Sequence, residues 1–400
     1  MIEIVGRYGS ARVYTDFIDD TTYGQILNIC NLPVAENVKI RIMPDVHAGA
    51  GCVIGTTMEI RDKVVPNFVG VDIGCGLHVA KLEVGKNEVD FAKLDEVIHS
   101  KIPYGRNVHE GFSIHRFADM IDYSKLRCQV SDEHVRRSLG TLGDGNHFIE
   151  LNADDDGQVY LVIHSGSRHL GVRVASHYQK EGYRAHMHGS RKERNAIIEK
   201  LKAEGRHREI EAALKAFKPS KPHVDPDTAY VEGGLMEDYL NDMDIAQDFA
   251  RLNRRAMVDI IVKAMGWKIV ESFDSIHNYI DLDNMIMRKG AISAKKGEVA
   301  IIPMNMRDGS LIVVGKGNPE WNESAPHGAG RVMSRSMARE NISLDEYREA
   351  MKGVWTTSVG ETTIDEAPMA YKPMEAITKF IGDTVDVVKV IRPLYNFKAH

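Results

Sequence analysis

Four hundred residues, 43% of them hydrophobic and 27% charged, leave room for a sizeable buried core and describe an ordinary soluble globular chain. A net charge of −6 excludes nucleic-acid binding through bulk charge, so any such binding needs a local basic patch. Four cysteines (Cys30, Cys52, Cys75 and Cys128) are too few and too irregular for a disulfide framework, the opening residues lack a signal-peptide pattern, and no apolar run reaches the ~18 residues of a membrane helix. A reduced cytoplasmic setting with no membrane partner is expected.

Along the chain two textures alternate. Residues 38–82, 141–166 and 290–331 carry short apolar runs such as "VIGTTMEI", "QVYLVIHS" and "LIVVGKG", and read as strands joined by glycine loops. Residues 172–217, 235–266 and 343–354 read as helices. The first has apolar residues at helical spacing and is expected to stop at Pro219; the last opens on a Ser343/Glu346 capping box. A further helix is predicted over 374–390. Strands and helices come in blocks, which favours an α+β fold with mixed β-sheets over a doubly wound one. No repeat and no Pro/Gly/Ser-rich linker divides the chain, so one compact unit over 1–400 is expected, with a helical, basic segment at about 172–235.

Several strand ends share one grammar: an apolar run, then Asp, Cys or His, then Gly or Ser. In "GVDIGCG", Asp72 and Cys75 lie three apart on a glycine-fenced turn and can grip one cation, although a free cysteine is often only a small hydrophobe. "GDGNHFIEL" offers Asn146, His147 and Glu150 behind glycines that suit close approach to a ligand. "LVIHSGSRHLG" ends a strand on His164, with Arg168 able to fork onto a phosphate. "SIHNYI" supplies His277 and Asn278, a pair that alone reads as core, and "MPDVHAGAG" supplies Asp45 and His47. Converging, these ends would form a His/Cys/Asp cluster large enough for two cations, Mn²⁺ or Zn²⁺, the usual device for in-line phosphoryl transfer. Near the carboxyl end, "SAPHGAGR" strips the bulk from around His327, so that its backbone can lie against a large ligand.

In this order the blocks "MPDVHAGAGCVIGT", "NFVGVDIGCG", "LGTLGDGNHFIEL", "HSGSRHLG", "HNY", "RKGAISAKKGEVAIIP" and "PHGAGRVMSR" resemble the RtcB family of RNA-splicing ligases, collinearly from about residue 40 onward. The resemblance implies a single RtcB-like fold, with mixed sheets around a deep metal-containing cleft flanked by helices. It implies a GTP- and Mn²⁺-dependent ligase, using two ions, that joins an RNA 3′-phosphate or 2′,3′-cyclic phosphate to a 5′-hydroxyl in RNA splicing or repair. A histidine-guanylate is the intermediate, and a small activator protein is a further partner in some members. Position by position, the guanylated histidine falls on His327 and the metal ligands on Asp72, Cys75, His147, His164 and His277. The nucleotide contacts fall on Asn146, His147, Phe148, Ile149, Glu150, His277, Asn278, Pro303, Met304, Asn305, Met306, Ser310, His327, Gly328, Ala329, Gly330, Tyr371 and Lys398. Asp45, Arg168 and Arg335 match residues that serve the RNA ends. The segment 303–310, "PMNMRDGS", departs from the glycine-rich guanine-side loop of the family, Pro326 replaces a common serine, and His169 a usual glycine.

Two other classes fit the same residues: a metal-dependent phosphodiesterase or nucleotide hydrolase, which needs no covalent nucleotide, and a non-catalytic RNA-end binder. The basic stretch from Arg184 to Lys221 reads either as a lateral RNA-binding wall or as a solvated helix pair, since its centre is nearly balanced by acids. A monomer is expected.

Overall fold

A computed structural model describes residues 1–110, 115–217 and 224–399. Two sheets dominate. The larger has seven strands in the spatial order Ile269–Ile276, Gly76–Gly85, Gln158–Ser165, Phe148–Ala153, Val385–Lys398, Gly309–Gly315 and Val299–Asn305, and every neighbouring pair is antiparallel. It curls until its two edges meet, where Ile301 N donates to Ser275 Oγ at 3.5 Å. The second runs Ile2–Val5, Ser10–Val13, Ile40–His47, Ile54–Glu59, Ile286–Lys289 and Asn278–Asp281. Its Ser10–Val13 and Ile40–His47 strands are parallel while the other pairs are antiparallel, so this sheet is mixed. The architecture is the predicted α+β arrangement.

Two long helices back the sheets. Gly233–Met265 buries Tyr239, Met243, Ala246, Phe249, Ala250, Ala256, Met257 and Ile261, a stripe at three- and four-residue spacing, and ends on left-handed Gly266 (φ 72°), whose N–H returns to Lys263 and Val262. Its first half packs against Tyr178 through Tyr239; its second half, through Met257, Val258 and Ile261, joins the core under the face of the larger sheet carrying Ile149, Leu161 and Ile163. Among the described residues no helix is long and apolar enough to cross a membrane.

The predicted helix over 172–217 begins earlier, as Arg168–Ala203. It breaks at Gly205, which takes φ +72°, before short helical turns at His207–Glu209 and Ile210–Ala216. Its expected stop at Pro219 lies outside the described residues. In this segment Arg206 pairs with Glu204 and Glu209, Lys202 with Glu199 and Arg184 with Glu181. That pairing fits the solvated-face reading. The Ser343/Glu346 box caps Leu344–Ala350 as predicted.

The helix predicted over 374–390 is corrected. Met374–Ile381 is helical, but Val385–Lys398 is a strand in the middle of the larger sheet. Five of the seven residues 385–391 are Val or Ile, side chains that pack on a pleated surface and crowd a helix.

Candidate active site

Four chain segments converge beside a cavity of about 810 Å³, which His164 and His277 line. Asp72 and Cys75 sit on the turn between the short Pro66–Val69 helix and strand Gly76–Gly85. Gly70 (φ 96°) and Gly74 (φ 70°) give that turn backbone angles other residues rarely adopt. His147 precedes strand Phe148–Ala153, His164 lies one residue from the end of Gln158–Ser165, and His277 joins Ile269–Ile276 to Asn278–Asp281.

Partner chemistry assigns the ring protons. His147 Nδ1 lies 2.7 Å from Leu142 O, and His164 Nδ1 lies 3.1 Å from Asn146 O. A carbonyl only accepts, so each Nδ1 carries the hydrogen and each Nε2 keeps a lone pair. Those Nε2 atoms face Cys75 Sγ at 3.5 and 3.3 Å, and His164 Nε2 is 3.4 Å from His277 Nε2. His147 Nε2 is 2.9 Å from Asp72 Oδ2. Lone pairs crowded in this way repel unless a cation lies among them. Metal–sulfur and metal–nitrogen bonds of about 2.3 and 2.1 Å, at near-tetrahedral angles, separate two ligands by about 3.5 Å, which is the spacing found. Cys75, His147 and His164 form a buried three-residue donor set, and Asp72 and His277 extend it. The donor set fits a divalent cation.

The electrostatics agree. In the metal-free protein burial pushes the Asp72 carboxyl up, but its contact with His147, with help from Cys75 and Arg168, outweighs that and leaves the group at about 2, ionised. Burial first, then the charges of neighbouring histidines, hold His164 and His277 well below the usual imidazole range, in the neutral form that ligates. Burial and the Asp72 carboxylate push the Cys75 thiol well above its ordinary value; a bound cation reverses that sign, because a coordinating thiol is deprotonated.

The cluster is built around missing side chains. A Cβ on Gly166 would lie 2.1 Å from Asp72 Oδ1, and one on Gly143 would lie 1.9 Å from the Arg168 guanidinium and 2.7 Å from His147 Nδ1. Gly166 is outside the left-handed region, so there the clash is the whole effect. Gly166→Ala is therefore expected to fold, to displace the Asp72 carboxylate and to weaken divalent-cation binding by ~10–100-fold, as loss of a ligand-orienting contact does. Calorimetric Mn²⁺ titration of the variant checks this, and unchanged affinity would remove Asp72 from the cluster.

His327 follows the short strand Ser324–Pro326, and its ring centroid is 4.8 Å from that of His277. Its Nδ1 is 2.7 Å from Oδ2 of Asp45, a fully buried carboxylate on strand Ile40–His47. The carboxylate accepts, so Nδ1 carries the hydrogen and Nε2 is left with a free lone pair. Left-handed Gly330 (φ 72°) lets the loop pass Asp45; a Cβ there would meet Asp45 O at 2.5 Å.

Beyond His327 the cavity is lined by Asn146, Phe148, Glu150, Asn278, Pro303, Met304, Asn305, Met306, Gly328, Ala329, Gly330, Tyr371 and Lys398, with Arg335 at its rim. Burial pushes Glu150 up to about 7, against hydrogen bonds from Asn396 (2.6 Å) and Asn152 (3.4 Å) and the charge of Lys398. Three further predicted residues do not line the cavity. Ile149 is in the core cluster under the sheet. Ser310 is fully buried, and its Oγ has no hydrogen-bond partner among the described residues. Arg168 turns its guanidinium to Thr141 Oγ1 (3.1 Å) and Gly105 O (2.6 Å). The departing 303–310 segment forms a hairpin: Asn305 Oδ1 accepts from Arg307 N and Asp308 N, so Asn305 holds the turn.

Sequence reasoning missed Glu366 and Arg331. Glu366 accepts from Lys398 Nζ and Tyr371 Oη, both at 2.6 Å, and pairs with Arg335 at 2.8 Å. Burial pushes its carboxyl up, but Lys398 and Arg335 prevail and leave it at about 2. Arg331 lies 5.0 Å above the Tyr371 ring. Arg331 closes the "PHGAGR" block and could have been read there, whereas nothing in "ETTIDEAP" marks Glu366.

Residues 25–399 match the family model described as tRNA-splicing ligase RtcB. The chain is 31% identical to the RNA-splicing ligase RtcB of Escherichia coli K12, over 94% of this chain and 93% of that protein. It is 26% identical to the tRNA-splicing ligase RtcB of Aeropyrum pernix, over 90% and 87% of the two chains. It is also 26% identical to the RNA-splicing ligase RtcB2 of a second E. coli strain, over 96% and 93%.

Proposed function

Because this chain belongs to the RtcB family of tRNA-splicing ligases, we propose that it is an RNA ligase that uses GTP and Mn²⁺ to join RNA 3′-phosphate or 2′,3′-cyclic phosphate ends to 5′-hydroxyl ends. One observation carries the reading: an imidazole with Nδ1 tied to a buried carboxylate and Nε2 free, beside a cluster of five metal-type ligands.

The steps are those the family resemblance implies, with residues of this chain assigned to each role. His327 Nε2 attacks the α-phosphorus of GTP, and pyrophosphate leaves as the N–P bond forms. Asp45 keeps the proton on Nδ1 and balances the charge that the ring gains. The guanylyl group then passes to an oxygen of the RNA 3′-phosphate, which frees His327. The 5′-hydroxyl attacks that phosphorus, the new phosphodiester forms, and GMP leaves. Water opens a cyclic phosphate beforehand. Asp72, Cys75, His147, His164 and His277 would hold up to two Mn²⁺ ions, whose role when bound is to neutralise phosphate charge. Gly328, Ala329 and Gly330 leave room for the nucleotide, Phe148 and Tyr371 offer aromatic faces, and Lys398 and Arg335 supply cations. The cavity serves as the single catalytic site of one unit spanning 1–400.

Guanine presents two adjacent N–H donors, which one carboxylate can accept together. Glu150 is suited to this only when ionised, and its carboxyl titrates at about 7. Affinity for GTP is expected to rise with pH through about 7, and Glu150→Gln to flatten that profile. Stability runs the other way. The folded value lies above the ordinary 4.5, so the contribution is complete below about 4.5 and is lost as pH rises through about 7. Nucleotide titrations and melting temperatures at pH 5.5 to 8.5 would show both trends, and parallel trends would contradict the assignment.

The test of the function is covalent labelling. Incubated with Mn²⁺ and each α-labelled nucleoside triphosphate in turn, the protein should take up acid-labile label from GTP above the others. Nicked RNA with 3′-phosphate and 5′-hydroxyl ends should then be sealed. Turnover of nucleotide or phosphodiester with no label would leave the hydrolase reading standing, and RNA binding with neither would leave the end-binder.

A further inference from the structure

The four segments that carry the metal-type ligands all meet two consecutive side chains, Asn253 and Arg254, on the Gly233–Met265 helix. Neither touches the cavity, and both are fully buried. Arg254 donates through one guanidinium nitrogen to Gly74 O (2.7 Å) and Ser165 O (2.9 Å), the residues next to Cys75 and His164. Its Nε reaches Asp274 Oδ1 at 3.1 Å, on the strand that leads into His277. Asn253 Oδ1 accepts from Gly140 N (2.7 Å) and Thr141 N (3.0 Å), at the start of the loop that ends on His147. Its Nδ2 donates to Thr141 O, Ser165 Oγ and Gly166 O, each at 3.1 Å. Ser165 Oγ in turn donates to Leu142 O, the carbonyl that holds the His147 ring.

The helix also bears directly on the Cys75 turn. A Cβ on Gly74 would meet Ala250 Cβ at 2.9 Å and Gln247 Cα at 3.0 Å. Helix and turn are therefore in backbone contact one turn before Asn253.

Bare burial does not explain this pair. A helix that only needed to pack here would carry apolar residues, as it does at Phe249, Ala250, Ala256 and Met257. A fully buried guanidinium is costly unless it is paired, and here Nε and one Nη bind three ligand-bearing segments, with Asn253 binding the fourth. We propose that Asn253 and Arg254 are positioning residues that set the spacing of the Cys75, His147, His164 and His277 donors, and so the affinity of the site for divalent cations. The inference rests on the metal part of the proposed function and on none of its RNA chemistry.

The test compares two perturbations of one helix. Asp242, three turns earlier, is equally buried and holds Arg127 N, Cys128 N and Tyr178 Oη, which lie away from the ligands. Arg254→Lys, Asn253→Ala and Asp242→Asn are each titrated with Mn²⁺ by calorimetry and with Co²⁺ by absorption, with melting of the metal-free protein recorded in parallel. Arg254→Lys keeps the charge that Asp274 faces but cannot span both carbonyls, and Asn253→Ala guards against a variant that fails to fold. The expected result is that the first two lose ~10–100-fold in Mn²⁺ affinity and shift the thiolate–Co²⁺ absorption, the usual scale for ligand-orienting contacts. Asp242→Asn is expected to lower the melting temperature and bind Mn²⁺ as the unaltered chain does. Unchanged affinity in both Asn253→Ala and Arg254→Lys, or an equal loss in Asp242→Asn, overturns the proposal while leaving the metal reading intact. If the unaltered chain binds neither cation, the metal reading fails and the positioning role falls with it.

Discussion

His327→Ala is expected to take up no nucleotide label and to seal no RNA, a loss of at least ~10⁴-fold, because no other side chain can form the covalent link. The ring is partly exposed, at 18% of its side-chain surface, so the variant should fold. Its absence leaves Asp45 buried without its 2.7 Å partner, at a cost of about 1–3 kcal/mol that should appear as a lower melting temperature. Asp45→Asn separates orientation from nucleophilicity. The imidazole remains, but nothing selects the Nδ1–H form, and a comparable loss of tautomer control costs up to ~10⁴-fold elsewhere. Labelling should therefore be slow but detectable in Asp45→Asn and absent in His327→Ala. Label that persisted in the alanine variant would move the nucleophile to another residue.

Cys75→Ala is expected to lose divalent-cation binding and ligation together, by more than the ~10–100-fold that outer contacts are worth. Its Sγ stands between His147 Nε2 and His164 Nε2, at 3.5 and 3.3 Å, and is the atom common to both. The readout is thermal. A cation bound only by the folded chain at 100 times its dissociation constant stabilises by about 2.7 kcal/mol, and the alanine variant should gain none of this. Its metal-free melting should stay close to that of the unaltered protein, since outside the cluster the sulfur's only hydrogen-bond partner among the described residues is the backbone N–H of Gly76. Activity retained in Cys75→Ala would mean that the cluster has been misread.

How much of this was legible in the residues depended on how local the cause was. The ligand turns announced themselves because glycine, Asp, Cys and His occur together at strand ends, where backbone geometry requires glycine. Gly74 and Gly143 do take left-handed angles. The Leu344–Ala350 helix was legible for the same reason, since Ser343 and Glu346 are three residues apart and bond each other's backbone. Elements decided by distant contacts were not legible in the same way. Val385–Lys398 followed a helix without a proline to mark the change, and its β character comes from the strands on either side. The Asp20–Cys30 and Phe91–Lys101 helices, with modest apolar faces, escaped notice. Within the site, Asp45 was anticipated as a catalytic residue, but its contact with the His327 ring is a pairing across 282 residues that no local pattern encodes. Asn253 and Arg254 did leave a trace, as polar residues at core spacing in an amphipathic helix, but only the fold says what they hold.

Val385–Lys398 lies in the middle of the curled sheet, between Phe148–Ala153 and Gly309–Gly315. A ribosome makes this strand long after both neighbours. Until it arrives, the growing chain carries two half-sheets with facing edges of unpaired N–H and C=O groups, the kind of edge that captures other strands. At ~5–20 residues per second, the 69 residues between Gly315 and Val385 keep those edges open for several seconds. Pairing then closes loops of great length, which slows folding. Lys398 joins Glu366 and Phe148 only at that moment, so the nucleotide end of the cavity is the last part of the molecule to exist. Its cellular yield should be more sensitive to chaperone supply than its final stability would suggest.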